Sequence, residues 1–463
     1  MAACRARREL RAYHFGTAFL PSGWANDVLI EVGDDGMIAT VSPNRPQGAA
    51  ERVAGIALPG MPNLHCHAFQ KGMAGLAERR GPVGDSFWTW REVMYRFLSA
   101  LTPDDVEAIA AYAYIEMLEA GFTTVGEFHY LHHDPAGRPY ADIGEMAARI
   151  AAASSATGIG LTLLPSLYTY GGFGGAAPNS GQIRFINPTD RFVTLMERSR
   201  AIVAKLPGAA IGIAPHSLRA VSTDQLREAA AIFAEGPVHI HAAEQTKEVD
   251  DCVASLGARP VQWLLDEMGL DRRWCLIHAT HMTEDETARL ASSGAVAGLC
   301  PLTEGSLGDG IFNGETYLAA HGAFGIGTDS NIQIDAPAEL RQLEYSQRLK
   351  ARARNVMTTT EGESTGRSLY TRALAGGSQA LGQSIGVLAP GYRADIAVLD
   401  DNHPDLAGAS GDMVLDVMVF SAGRGLIRTV IASGKPVVLD GRHHAREAIT
   451  KKYRDTVSRL ANA

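Results

Sequence analysis

The sequence predicts an α/β fold: a (β/α)8 TIM-like barrel with a small β-sandwich domain formed from both chain ends. Three observations carry this. The 463 residues exceed what one compact core holds, so a large domain should be joined by a smaller one. Both ends contain short β segments divided by turns, while the middle alternates apolar runs with helix-like stretches. The middle runs number eight, and several end in His, Glu or Asp, at the rim where a barrel carries its chemistry.

In order along the chain, the first segment (1–58) opens with the polar, Arg-rich stretch Met1–Tyr13, which has no apolar signal-peptide core behind it. Val28–Val32 and Gly36–Val41 then read as strands paired around the turn Gly33-Asp34-Asp35. The barrel segment (59–380) offers Gly60–His65, Thr123–Tyr130, Leu161–Tyr168, Ala210–Ser217, Val238–Glu244, Cys275–Ala279, Ala295–Pro301 and Phe324–Ser330 as strands. Helices such as Pro103–Ala120 and Thr223–Ala234 lie between them. The last segment (381–463) returns to strand in Ala394–Asp400, Ile427–Ala432 and Pro436–Leu439, with Ser433-Gly434 as a turn. The glycine-rich Tyr170–Gly175 does not fit GxGxxG and is no nucleotide loop. A lid and an inert surface loop both remain open for it.

Composition excludes several classes. A net charge of −9 argues against nucleic acid as partner, though a locally positive pocket still admits an anionic small molecule. No stretch approaches the roughly 20 uncharged apolar residues of a membrane helix. The five cysteines (Cys4, Cys66, Cys252, Cys275, Cys300) are odd in number and form no CxxC pair, the pattern of reduced thiols in a cytoplasmic protein.

The chemistry lies at the strand ends. Side chains alternate along an extended chain, so His65 and His67 share one face and can grip one ion. The fifth strand adds His239, His241 and Glu244, the sixth His278 and the eighth Asp329. Imidazoles plus one carboxylate, without thiolate, suit zinc or a neighbouring first-row divalent ion.

This set, HxH on strand one, His on strands five and six and Asp on strand eight, resembles the amidohydrolase superfamily. The resemblance covers nearly the whole chain, and Gly386–Asp395 looks like that superfamily's re-entry into the sandwich. Two-metal members commonly use a lysine at the end of strand four; Ile213–Ser217 has none. The resemblance therefore implies one divalent ion, taken as Zn2+, held by His65, His67, His241 and Asp329; the same ligands also accept iron or manganese. By the family pattern His241, three residues before Glu244, is the ligand, and His239 packs lower in the barrel. Asp329 would also receive a proton from water, His278 would stabilise the tetrahedral intermediate, and Glu244 would act as general acid–base toward the departing ammonia.

Longer strings are similar to the formiminoglutamate deiminase family within the superfamily: Asn63–Gln70, Asp85–Glu92, Glu127–Tyr130, His216–Val221 and Gly308–Phe312. One departure is Cys66, where a small residue such as Ser is common; it points away from the metal. The implied substrate is N-formimino-L-glutamate, an amidine with two carboxylates. Gln70, Arg91, Tyr130, His216 and Arg219 are its implied binding residues, the arginine forks suiting carboxylate. The resemblance also implies a homodimer. The alternatives are a deaminase of a neutral, guanine-like aminoheterocycle on the same site and, more distantly, a metal-free scaffold protein.

Overall fold

The computed structural model describes residues 10–81, 84–423 and 425–461. Cys4 and most of the Arg-rich N-terminal stretch lie outside the described residues. Four strands come first: β1 (Arg11–Leu20), β2 (Gly23–Val32), β3 (Ile38–Ser42) and β4 (Glu51–Pro59). The sequence reading passed over β1 and β4. In β1 Tyr13, His14 and Phe15 are buried in succession, as are Ala18, Phe19 and Leu20, so no two-residue alternation marks the strand.

Next come nine short parallel strands: β5 (Met61–Cys66), β6 (Phe122–His129), β7 (Gly160–Leu167), β8 (Ala210–Ile211), β9 (Ala214–Pro215), β10 (Val238–Ala242), β11 (Trp274–His278), β12 (Val296–Leu299) and β13 (Ala323–Ile326). Both β8 and β9 pair with β7, so the fourth barrel position is one strand broken in two. Bridges Ile213–Val238 and Ser217–His241 join it to β10, and Cys66–Asp329 joins the end of the eighth strand to the first. The barrel is closed. These strands are buried along nearly their whole length, as expected where helices cover the outside and side chains fill the inside.

Closure falls at the predicted ligands. The His65 carbonyl accepts from the N–H groups of both Thr328 and Asp329, each at 3.0 Å, and His67 N–H donates to the Asp329 carbonyl at 3.0 Å. Gly327 makes that approach possible, because a Cβ there would lie 2.7 Å from the His65 carbonyl oxygen.

The chain then adds β14 (Ile396–Leu399), β15 (Ile427–Ala432), β16 (Lys435–Leu439) and β17 (Arg442–His443) to the N-terminal strands. One continuous eight-stranded sheet results, ordered β17-β16-β15-β14-β4-β1-β2-β3. It curls around its own apolar core until Ile38 N–H, beside the outer edge, donates to the Tyr392 carbonyl just ahead of β14. Arg393 and Asp395, both buried, pair at 2.6 Å, and Arg393 also donates to Thr124 of β6. The helix Arg446–Leu460, absent from the sequence reading, lies on the barrel helix Pro103–Glu119, with Tyr112 and Tyr453 stacked 4.0 Å apart.

Candidate active site

His65 and His67 project from β5 into the barrel mouth, and Cys66 between them points the other way, where the Asn331 amide donates to its sulfur at 3.3 Å. His65 Nε2 lies 3.2 Å from His241 Nε2 and 3.4 Å from Asp329 Oδ1; His67 Nε2 lies 3.5 Å from the same oxygen. His67 Nδ1–H donates to the Phe128 carbonyl at 2.8 Å, and His241 Nδ1–H to the His216 carbonyl at 3.0 Å. Each bond fixes its ring so that the Nε2 lone pair faces the shared space. The donor atoms of His65, His67 and His241 all lie within 4.8 Å of one another. Bare ring nitrogens this close repel unless a cation sits among them, so the donor set fits a divalent metal.

Electrostatics agree. Burial lowers His65 to about 3, pulls His67 down and holds His241 well below the usual histidine range, keeping all three neutral as ligation requires. Burial also pushes the Asp329 carboxyl upward, but the neighbouring rings of His65, His67 and His278 outweigh it and hold the carboxyl well below the usual range. The backbone is strained here: Ala243 (φ +53), His278 (φ +69) and Asp329 (φ +43) occupy the left-handed region at the ends of three strands. Such clustering marks sites where geometry is imposed by function.

His278 Nε2 stands 3.6 Å from Glu244 Oε1 and 3.7 Å from Asp329 Oδ2. Its Nδ1 lies 3.3 Å from Glu304 Oε1, a partner the sequence reading missed. Glu304 was findable only as an acidic residue just beyond strand seven, to which no role was given. Burial would lower His278, but Glu244, Glu304 and Asp329 together raise it to about 10. Burial pushes Glu244 up to about 7, against the pull of His278 and Arg219. His239 is buried away from this cluster, its Nε2 2.7 Å from the Ala380 carbonyl.

Above the donor set lies a cavity whose wall includes every sequence-predicted site residue except His65, which sits beneath the floor. No residue of the Tyr170–Gly175 loop lines it. Gln70 Nε2–H donates to the Tyr130 hydroxyl at 2.8 Å, while the buried Gln70 Oε1 has no partner. His216 packs edge-on against Tyr168, ring centres 4.5 Å apart, and shares a 3.0 Å hydrogen bond with the Ser217 hydroxyl. Tyr95, Tyr168 and Phe185 also line the cavity and carried no sequence signal beyond ordinary core aromatics.

The two arginines are the unusual feature. Arg91 lies over Trp88 (4.6 Å) and Tyr95 (5.5 Å); Arg219 lies over Phe87 (5.8 Å) and Trp88 (5.6 Å). Neither makes an ion pair among the described residues, and the buried Nε of each has no partner. Burial works to lower the Arg219 pKa, but Glu248 and Glu244 outweigh it and raise it. Two guanidinium groups that face one cavity without an ion-pair partner among the described residues can accept anionic groups there.

Comparison with known proteins agrees with this geometry. The amidohydrolase family profile matches residues 56–437, and that of the N-terminal domain of formimidoylglutamate deiminase HutF matches residues 10–55. The formimidoylglutamate deiminase of Pseudomonas aeruginosa is 51% identical over 447 residues, 96% of this chain and 98% of that protein. A 5-methylthioadenosine/S-adenosylhomocysteine deaminase of Natronomonas pharaonis is 29% identical, over 83% of this chain and 82% of its own. The crystal structure of an amidohydrolase from Brucella melitensis superposes with a TM-score of 0.93 at 51% identity, over 97% of this chain and 100% of that one. The chain belongs to the amidohydrolase family, in its formimidoylglutamate deiminase group.

Proposed function

We propose that this protein hydrolyses N-formimino-L-glutamate to N-formyl-L-glutamate and ammonia, a step of L-histidine degradation. One observation carries the reading: three clustered histidines with Asp329 beside them open into the same cavity as two arginines that make no ion pair among the described residues. The first suits hydrolysis of a C=N carbon. The second suits a substrate with two carboxylates, and a neutral purine would leave both guanidinium groups unanswered. The catalytic machinery is the barrel of residues 59–380, with the small domain drawn from 1–58 and 381–463.

His65, His67, His241 and Asp329 would hold a single divalent ion, zinc being the best match to three imidazoles and a carboxylate. When bound, such an ion supplies water whose pKa falls from about 15.7 toward 7. Asp329 receives the proton of the attacking water. Ionised Glu244 binds the cationic amidine, then carries the hydroxyl proton of the tetrahedral adduct to the nitrogen that leaves as ammonia, and Asp329 gives up its proton as product departs. His278 donates from Nε2 to the oxygen as it gains charge at the tetrahedral carbon. Arg91 and Arg219, with Gln70, Tyr130 and His216, orient the two carboxylates.

Four described cysteines are buried and free, which suits the reducing cytoplasm, and we carry over the homodimer as the working assembly. The deciding experiment measures ammonia release from N-formimino-L-glutamate, its aspartate analogue, guanine and cytosine. Release from the dicarboxylate amidine and none from the bases is expected. Turnover of guanine or cytosine alone would overturn the reading.

A further inference from the structure

Three cations approach the ring of Trp88. The Arg91 and Arg219 guanidinium carbons lie 4.6 and 5.6 Å from it, and the Lys247 ammonium lies at 5.8 Å. Among the described residues Lys247 makes an ion pair, with Asp251 at 2.6 Å, and the two arginines on the cavity side make none. Phe87 and Tyr95 each meet one arginine; Trp88 meets both.

Like charges around one ring repel, and a protein ordinarily relieves this with a carboxylate. A carboxylate at this position would engage the arginine forks itself, and an incoming substrate would have to displace it. An indole face attracts cations through its quadrupole and leaves their N–H groups free. The backbone that carries the ring is fixed by a capped helix start. Trp88 is the second residue of the helix Phe87–Leu98, its N–H donates to Ser86 Oγ at 3.3 Å, and Ser86 N–H donates to Thr89 Oγ1 at 3.0 Å. Trp88 does not itself line the cavity.

We propose that Trp88 is a positioning residue for specificity, its indole gathering Arg91 and Arg219 into one dicarboxylate-binding pair without supplying a competing anion. This rests on the dicarboxylate reading given above. The test compares native enzyme, Trp88→Leu and Trp88→Phe in the metal-loaded state. It measures kcat and KM for N-formimino-L-glutamate, and calorimetric affinity for glutarate, a dicarboxylate without the amidine. Trp88→Leu should raise KM and weaken glutarate binding, each about tenfold, with a smaller change in kcat. Trp88→Phe, which keeps an aromatic face, should recover most of both.

Unchanged glutarate affinity in Trp88→Leu overturns the assignment. So does a loss confined to kcat that Trp88→Phe fails to rescue, which marks a merely structural role. If Trp88→Leu does not fold, Trp88→Phe decides: glutarate affinity within about threefold of native supports the proposal, and a larger loss overturns it. Native enzyme that neither binds glutarate nor turns over the amidine removes the underlying function and this inference with it. Native enzyme that does both, beside an indifferent Trp88→Leu, removes only the role of Trp88.

Discussion

In the proposed mechanism Glu244 meets two demands: ionised to hold an amidinium, and protonated to release ammonia. Burial supplies the compromise by lifting its pKa from the ordinary carboxylate value to about 7. Because the raised pKa favours the protonated form, the carboxylate that binds substrate is lost as pH falls through about 7. The pH profile of kcat/KM should therefore drop on its acid side near that value. Glu244→Gln should lower kcat by about 10²- to 10⁴-fold with an unchanged circular dichroism spectrum, and its residual activity should lack that acid limb. Near-normal turnover in the variant would remove Glu244 from the chemistry. Arg219→Met should raise KM for the dicarboxylate amidine about 10- to 100-fold, the worth of a charged hydrogen bond. An equal loss on a substrate lacking both carboxylates would show that Arg219 supports structure instead. At this scale much was legible, because residue type and strand-end position mark ligands locally. Glu304 was not, because its value lies in meeting His278, and nothing in its own neighbourhood announces that contact.

Strands set the accuracy with which those residues meet. The eighth closes on the first through hydrogen bonds to the His65 carbonyl, so the proposed metal donors His65, His67 and Asp329 sit at the barrel seam. Alternation along β5 told which side His65 and His67 would take. The break between β8 and β9 was invisible, since the apolar run Ala210–Ser217 is continuous in composition and is interrupted only where Gly212 approaches the Pro237 carbonyl. The join between the barrel and the small sheet depends on Arg393, which meets Asp395 at 2.6 Å and reaches Gln383 and Thr124. Arg393→Ala strands a buried carboxylate and should cost about 3–5 kcal/mol in urea unfolding. A loss below about 1 kcal/mol would show that water enters the junction freely.

Across the whole molecule, donors from β5, β10 and the segment after β13 tie distant parts of the chain together. A cation bound only by the folded state stabilises it by roughly 4 kcal/mol at a thousand times its Kd. Stripping metal with a chelator should therefore abolish ammonia release and lower Tm by about 5 °C, with zinc restoring both. An unaltered melting curve, with metal analysis confirming removal, would place the ion elsewhere.

The sequence by itself determined the barrel, the small domain drawn from both chain ends, the candidate donor residues and the family resemblance, because strand periodicity and strand-end chemistry are local properties of the chain. Only the tertiary structure decided that one indole meets two arginines, that Glu304 backs His278, in which order the strands of the two chain ends join one curled sheet, and that the last helix lies on the barrel. Those are contacts between residues far apart in the chain. They arise from how faces pack in space, and no local pattern encodes them.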